Sequence, residues 1–377
     1  MTITTASDLK TISAVKSVCD KFCIQGEFLS CDRVTNGHIN DTFVAYYLRG
    51  GEKKEYIVQR VNTFVFKNPK EVMRNITSVT EYVRNKIKET RPTAKRYVLH
   101  YQYTQNGDGY YIDEQGGFWR CCKYIDDSVT FNETDDLRVI EEAGKAFGEF
   151  QRQLADYPVK SLYITIPHFH NTMNRYSLFR EAIENDAAGR KSGVLPEINA
   201  YLGFEELATK MYKMQREGKL PLRVTHNDTK CNNVLFDGKT LKHLAVIDLD
   251  TVMPGLAAFD FGDAIRFIAN TCAEDEKDVS RVKLDFSKYE AFAKGFIGEI
   301  KSSLIKTELE TMALGALTMT VECGMRFLTD YLNGDVYFKT CYEGHNLIRS
   351  RCQLALAESM RENLDEMRRI ISEIAGE

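Results

Sequence analysis

His226, Asp228, Asn233 and Asp248 constrain this chain more than any other feature of it. They lie in Val224-Thr-His-Asn-Asp-Thr-Lys-Cys-Asn-Asn-Val-Leu-Phe236 and in Leu244-Ala-Val-Ile-Asp-Leu-Asp250. The first segment has a β-branched lead-in, carries His-x-Asp-x-x-x-x-Asn and runs into an apolar stretch. The second is an apolar strand that ends in Asp-Leu-Asp. Turn-forming residues are common in loops, and that accounts for any one of the four. It does not account for all four at these offsets, with a strand aimed at the last.

The remaining chain divides by pattern. Residues 8 to 23 carry apolar positions at helical spacing, until Gly26 and Cys31-Asp32 break it. From 27 to about 125 the chain reads mainly as strands. Phe28-Leu29 leads to a turn at Asn36-Gly37, and Thr42 to Leu48 is β-rich. Gly50-Gly51 makes a hairpin into Tyr56-Ile-Val-Gln-Arg-Val61. A helix is predicted over 68–88, with Val72, Ile76, Val79 and Val83 on one face. Strands follow at Tyr97 to Gln102, Gly109 to Ile112 and Phe118 to Ile125. Beyond 126 the patterns are helical, over 135–155, 194–217, 288–302, 307–332 and 346–375. The expectation is an α+β chain: an antiparallel-sheet lobe over 1–125 with one packed helix, and a mostly helical lobe over 126–377.

Composition narrows the alternatives. At 377 residues, with 43% hydrophobic content and seven prolines, the chain can build a large core and is neither disordered nor fibrous. A net charge of -4 with mixed signs argues against a nucleic-acid partner, whose binding face would be basic. No apolar run is long enough to span a membrane; the stretch from Met312 to Met325 is interrupted by threonines and Glu322. The ten cysteines contain no Cys-x-x-Cys pair, so free thiols in a reducing cytosol are expected. The N-terminus lacks the basic and apolar regions of a signal peptide. A soluble cytoplasmic protein with neither nucleic-acid nor membrane partners follows, its oligomeric state open.

Phosphoryl transfer to a hydroxyl is the chemistry that uses such a set, and the protein-kinase fold builds its site at this spacing. That makes the two lobes a bilobal, protein-kinase-like fold. Asp228 is placed to accept a hydrogen bond from the acceptor hydroxyl. Asn233 offers a neutral oxygen and Asp248 a carboxylate to Mg2+. Asp250 shares a strand face with Asp248 and is a candidate second or indirect ligand, while His226 reads as a loop organiser. ATP and Mg2+ are the implied cofactors. Neither a P-loop nor a Gly-x-Gly-x-x-Gly turn occurs in the chain. Gly37 is the one glycine in the first turn, a phosphate-covering position or an ordinary hairpin. Protein kinases carry a lysine on the third strand. Here that strand offers Gln59 or Arg60, of which only one faces the cleft, and Gln59 is favoured. The helix glutamate that partners such a lysine is not identifiable.

These motifs resemble the aminoglycoside phosphotransferase and choline kinase superfamily, whose members phosphorylate small-molecule hydroxyls on a kinase-like fold. Further segments are similar to those of the N-acetylhexosamine 1-kinases. They include Thr35-Asn-Gly-His-Ile-Asn40, Ile166-Pro-His-Phe-His170, Ile247-Asp-Leu-Asp-Thr-Val-Met-Pro-Gly255 and Glu322-Cys-Gly-Met-Arg-Phe-Leu328. The resemblance extends from about residue 25 to 355. It implies ATP-dependent phosphorylation of the anomeric hydroxyl of N-acetylglucosamine or N-acetylgalactosamine, with Asp228 as base and Asn233 and Asp248 on magnesium. It also implies a sugar pocket lined by His38, Arg326 and Tyr337, and a hinge at Tyr124 and Ile125 that bonds adenine. Competing readings are a helix-surface salt bridge for Arg326 and plain packing for Tyr337. His168 and His170 read as structural, and Asp260 and Asp263 as braces of the catalytic loop. Acceptors other than a sugar (an amino alcohol, homoserine or an aminoglycoside) keep the same fold. A pseudokinase would lack the base or a metal ligand, and here all three are present.

Overall fold

The computed structural model describes residues 6–34, 40–90 and 96–376. Helix α1 (Ala6–Cys19) precedes strands β1 (Glu27–Val34), β2 (Asp41–Arg49) and β3 (Glu52–Val61). Helix α2 (Pro69–Thr90), β4 (Tyr111–Ile112) and β5 (Phe118–Lys123) follow. The strands form one antiparallel sheet in the order β1-β2-β3-β5-β4. The Gly50-Gly51 hairpin forms as expected. Both residues have positive φ, 58° and 81°, which glycine adopts without strain, and Arg49 pairs with Glu52 across the turn. The turn at Asn36-Gly37 lies outside the described residues.

Strand alternation gives the sheet two different faces. Ala45, Tyr47, Tyr56, Val58, Trp119 and Cys121 pack beneath Val15 and Val18 of α1. Val61, Phe118 and Cys122 face the other way and join Val72, Ile76, Val79 and Val83 of α2 in the main core. The segment 97–102 was expected as a strand but makes a single bridge, Tyr101 to Cys122. The outer edge of β5 is shared: this segment takes the Cys122 end, and β4 takes Trp119 and Phe118, so neither extends.

The rest of the chain is mostly helical. It contains β6 (Ser128–Val129), α3 (Leu137–Gln153), α4 (Thr172–Asn185), α5 (Leu195–Gly203) and α6 (Glu205–Arg216). Next come β7 (Arg223–Thr225), β8 (Val234–Asp237), β9 (His243–Val246) and β10 (Met253–Gly255). The chain closes with α7 (Ala257–Ile268), α8 (Phe286–Ile300), α9 (Lys306–Leu332), α10 (His345–Glu362) and α11 (Leu364–Ala375). Two helices expected to be continuous are broken. One break follows Gly203, where Phe204 is buried. The other is at Asn363, whose side-chain amide bonds the Ser359 carbonyl, a local bond that competes with helix continuation. Helix α7 was not among the expected helices: its polar stripe, Asp260, Asp263 and Arg266, is buried along with its apolar residues, so it lacks the solvent-facing side of an ordinary surface helix. Among the described residues, all ten cysteines are free and no helix is long and apolar enough to cross a membrane.

Two helix pairs cross at backbone contact. Gly144 and Gly148 of α3 meet α8 at Gly295, and Gly262 of α7 meets Gly315 of α9. A Cβ on Gly295 would lie 2.0 Å from the Glu141 carbonyl oxygen, and one on Gly262 would lie 2.3 Å from that of Gly315. Gly298, on the same helix as Gly295, has nothing within 4 Å of an added Cβ. Gly295→Ala should therefore cost about 3 kcal/mol in urea unfolding, because α3 and α8 must part. Gly298→Ala should be neutral, or stabilising by roughly 0.5–1 kcal/mol through helix propensity.

Candidate active site

Two loops lie side by side because two small sheets flank them. Strand β7 pairs with β10, Thr225 opposite Met253, and β8 pairs with β9, Val234 opposite Val246. The loop 226–233 runs from β7 to β8, and 247–252 runs from β9 to β10. His226 joins them. Its Nε2 is 2.8 Å from the Ile247 carbonyl oxygen, and its Nδ1 accepts the Asp228 backbone N–H at 3.2 Å, which assigns the proton to Nε2. Ile247 N–H in turn donates to the Asn233 carbonyl at 2.9 Å. His226 is thus the loop organiser that the sequence suggested.

Helix α7 braces the first loop from behind. Buried Asp260 accepts the backbone N–H of His226 at 2.8 Å and of Asn227 at 2.7 Å, and Gln151 Nε2 also donates to it. Burial raises the Asp260 carboxyl above its ordinary value, against the pull of His226 and these donors. Asp263 accepts Thr229 N–H at 2.9 Å and pairs with Arg266. Asn227 has φ 66° and Asp248 φ 57°, left-handed conformations at both loops. The Asn227 side chain offsets its strain with bonds to Thr225 and Thr251.

Asn233 Nδ2 donates to the Asp228 carbonyl at 2.8 Å and to Asp228 Oδ2 at 3.2 Å. This leaves the Asn233 amide oxygen for another partner. Asp228 Oδ1 is 3.0 Å from Lys230 Nζ. Burial works against the Lys230 charge, but Asp228 and Asp263 outweigh it and hold the ammonium above its ordinary range. Asp248 opens to solvent at the foot of the cleft, with protein around its other sides. That surrounding, with the like charges of Asp250 and Asp228, pushes its carboxyl up to about 6. A local excess of negative charge beside a free amide oxygen suits a hard divalent cation. Among the described residues no three His, Cys, Asp or Glu side chains converge on a metal position. Few protein ligands is the pattern of Mg2+, which keeps several of its waters.

The other sequence candidates fall in three places. Gly37 and His38 lie outside the described residues. Gln59 shares the sheet face of Arg120, while Arg60 lies on the α1 face and is exposed. Gln59 bonds Thr42 Oγ1 at 3.1 Å and accepts from Arg120 Nε at 2.9 Å. At the expected hinge, Tyr124 N–H already donates to Glu55 O, and Ile125 C=O accepts the Ser128 hydroxyl. Among the described residues, no hydrogen bond is made by the Tyr124 carbonyl or the Ile125 N–H. Arg326 and Tyr337 come together, the guanidinium 5.9 Å from the Tyr337 ring centre and 5.3 Å from that of Phe338. The competing surface salt bridge of Arg326 is absent among the described residues. Asp330 accepts the N–H groups of Val336, Tyr337 and Phe338, fixing that rim with Tyr337 71% exposed. A polar chain leads from there to the loops: Glu322, one turn before Arg326, bonds His170 Nδ1 at 3.0 Å, and His170 Nε2 is 3.3 Å from the Asn227 carbonyl oxygen.

Arg120 escaped the sequence reading. It is fully buried against Asp250, which therefore turns toward the sheet. The signal was present in Phe118-Trp-Arg-Cys-Cys122: an arginine in the middle of an apolar strand is buried only when paired.

This sheet, the helical body and the loop pair between them make up a kinase-like architecture. A family model described as "Phosphotransferase enzyme family" matches residues 31–289, and the chain belongs to that family. Its fold is similar to that of a microcompartment-associated aminopropanol kinase (TM-score 0.62, 13% identity, 94% of this chain and 98% of that one). It is also similar to a choline kinase from Cryptosporidium parvum (TM-score 0.53, 15% identity, 92% and 93%). An AMP-bound spectinomycin phosphotransferase matches with TM-score 0.50 and 12% identity over 91% and 97%. At these identities the likeness is one of fold.

Strand β9, which ends one residue before Ile247 and Asp248, is pinned from behind. His243 lies between Glu142 and Glu149 of α3, at 2.7 and 3.1 Å. Burial opposes the imidazolium, but the two carboxylates prevail and raise His243 to about 9 from an ordinary 6.5. A pKa raised by folding gives stability that is complete below about pH 6.5 and lost as pH rises through 9. Unfolding free energy should therefore fall by about 2 kcal/mol between pH 6.5 and 9.5. His243→Gln should remove that slope in denaturant titrations at each pH.

Proposed function

We propose that this small-molecule kinase is an N-acetylhexosamine 1-kinase, which moves the γ-phosphoryl group of ATP to the anomeric hydroxyl of N-acetylglucosamine or N-acetylgalactosamine. The supporting observation is the character of the acceptor side. Arg326 has no ion-pair partner among the described residues and lies against Tyr337 and Phe338. Arg175 nearby has the Phe169 carbonyl as its bond, at 2.8 Å, and burial and the Arg326 charge hold its guanidinium below the ordinary range. Two guanidiniums with aromatic neighbours suit a neutral polyol with an acetamide carbonyl: donors meet its oxygens and a ring meets its apolar face. They repel a quaternary ammonium or an aminoglycoside, which would want an aromatic cage without cations or an acidic wall.

In this reading Asp228 accepts the proton of the anomeric hydroxyl. The sugar oxygen bonds to the γ-phosphorus, and the bond from that phosphorus to the β–γ bridging oxygen breaks, releasing ADP. The proton then passes from Asp228 to solvent. Asn233 and Asp248 would hold Mg2+, which when bound screens the phosphate charge. Gln59, Gly37, the Tyr124 carbonyl and the Ile125 N–H belong to the nucleotide side, and His38, Arg326 and Tyr337 to the sugar side. Residues 1–125 and 126–377 act as two lobes that close on the substrates, and ten free thiols are in keeping with a cytosolic setting.

The test is a panel of hexosamines, amino alcohols, homoserine and aminoglycosides with ADP detection. N-acetylhexosamines should give the highest kcat/KM and the 1-phosphate as product. Preferred turnover of an amino alcohol would replace the sugar reading with the neighbouring one. Asp228→Asn should lower kcat by about 10³-fold or more, while nucleotide affinity by calorimetry stays within a few-fold of the parent.

A further inference from the structure

Strand β5 places Arg120 directly opposite Gln59 of β3, on the sheet face that meets the catalytic loops. The side chains of Arg120 and Asp250 are each 3% exposed. Both terminal nitrogens of the guanidinium reach the carboxylate, Nη1 to Oδ1 and Nη2 to Oδ2 at 3.0 Å, and Nε donates to Gln59 Oε1 at 2.9 Å. Asn40 adds a second link. Its Nδ2 donates to Asp250 Oδ2 at 2.9 Å, and its Oδ1 accepts Asn62 N–H at 2.9 Å. Asp250 thus spends its oxygens on the sheet and is not turned toward a metal beside Asp248. Among the described residues, no acid of helix α2 pairs with Arg120: its buried Asn75 bonds Tyr163 and Val252, and Glu81 bonds Tyr103.

We propose that Arg120 is a positioning residue of the phosphoryl-transfer site, clamping the turn that carries Asp248 to the nucleotide-side sheet through Asp250. The proposal rests on the phosphotransferase reading above. Protein kinases join these parts with a lysine on the third strand and a glutamate on the helix. Here the third strand carries Gln59, the cation has moved one strand over, and its acid sits two residues beyond Asp248. The fork of a guanidinium fixes the carboxylate in plane as an ammonium cannot. A desolvated pair of this kind is no more stabilising than an apolar pair of similar volume, so stability alone does not account for it. Only Leu249 separates Asp248, in its left-handed conformation, from Asp250 in the 3-10 turn that follows.

The double variant Arg120→Met with Asp250→Leu removes both charges together and avoids a stranded one. In the full chain it should keep the parental Tm without ligand. Calorimetric affinity for ADP without Mg2+ should be unchanged, while the gain in affinity on adding Mg2+ should fall about tenfold or more, as for lost support of a metal ligand. A folded double variant with the parental Mg2+ gain would overturn the proposal, as would a parent whose ADP binding gains nothing from Mg2+. If the double variant fails to fold, Arg120→Lys carries the test: the charge stays, the fork is lost, and the same tenfold loss is expected, parental values again overturning it. The failure of the function reading is separate. A parent that phosphorylates no acceptor in the panel sinks that reading, while the Mg2+-dependent ADP titration still decides the role of Arg120.

Discussion

The Asp260 carboxylate, buried at the start of α7, is the interaction on which the site depends. It holds the backbone N–H groups of two consecutive loop residues, His226 and Asn227, and receives Gln151 from α3 as well. Burying a carboxylate is costly unless its oxygens are bonded, and here each of them is. The same bonds fix the left-handed turn at Asn227, which delivers Asp228 to the cleft. From His226 the constraint passes through Nε2 to Ile247 and so to Asp248, and through the Ile247 N–H to Asn233. Asp228, Asn233 and Asp248, from two loops, are thereby held by one hydrogen-bonded frame anchored in the helical core.

That frame needs a rigid base, which the close helix crossings provide. Helix α7 lies against α9 through Gly262 and Gly315 at a separation that leaves no room for a side chain. The next helix contact, α3 on α8, is made the same way and also carries the glutamates that grip His243 behind β9. Packing this tight transmits displacement without absorbing it. The same α9 presents Glu322 and Arg326 one turn apart, so the Arg326–Tyr337 rim and the loop pair share one support.

Much of the fold was legible in the sequence because period-2 and period-3.6 patterns survive wherever one face is buried and the other wet. The Gly50-Gly51 hairpin, the amphipathic α2 and the alternation that turns Gln59 inward are of this kind. Helix α7 was not, because it is buried on all sides. The breaks at Phe204 and Asn363 were also hidden, one set by a buried anchor and the other by a local side-chain bond. Within the site, the offsets of Asp228, Asn233 and Asp248 could be read directly. The direction of Asp250 could not: alternation put it with Asp248, whereas the left-handed residue and the turn after it send it to Arg120 instead.

The sequence by itself determined the offsets of Asp228, Asn233 and Asp248, the division into a strand-rich part and a mostly helical part, and the family to which the chain belongs, because these are local patterns of residue type and spacing. Only the tertiary structure decided which groups are free and which are spent. It took Tyr124 N–H and Asp250 out of the pool of ligand-facing groups, left Arg326 without an ion pair among the described residues, and paired Arg120 with Asp250. The physical reason is that a side chain's availability depends on what is packed against it, and those partners lie far along the chain, 130 positions from Arg120 to Asp250 and 210 from Asn40 to Asp250.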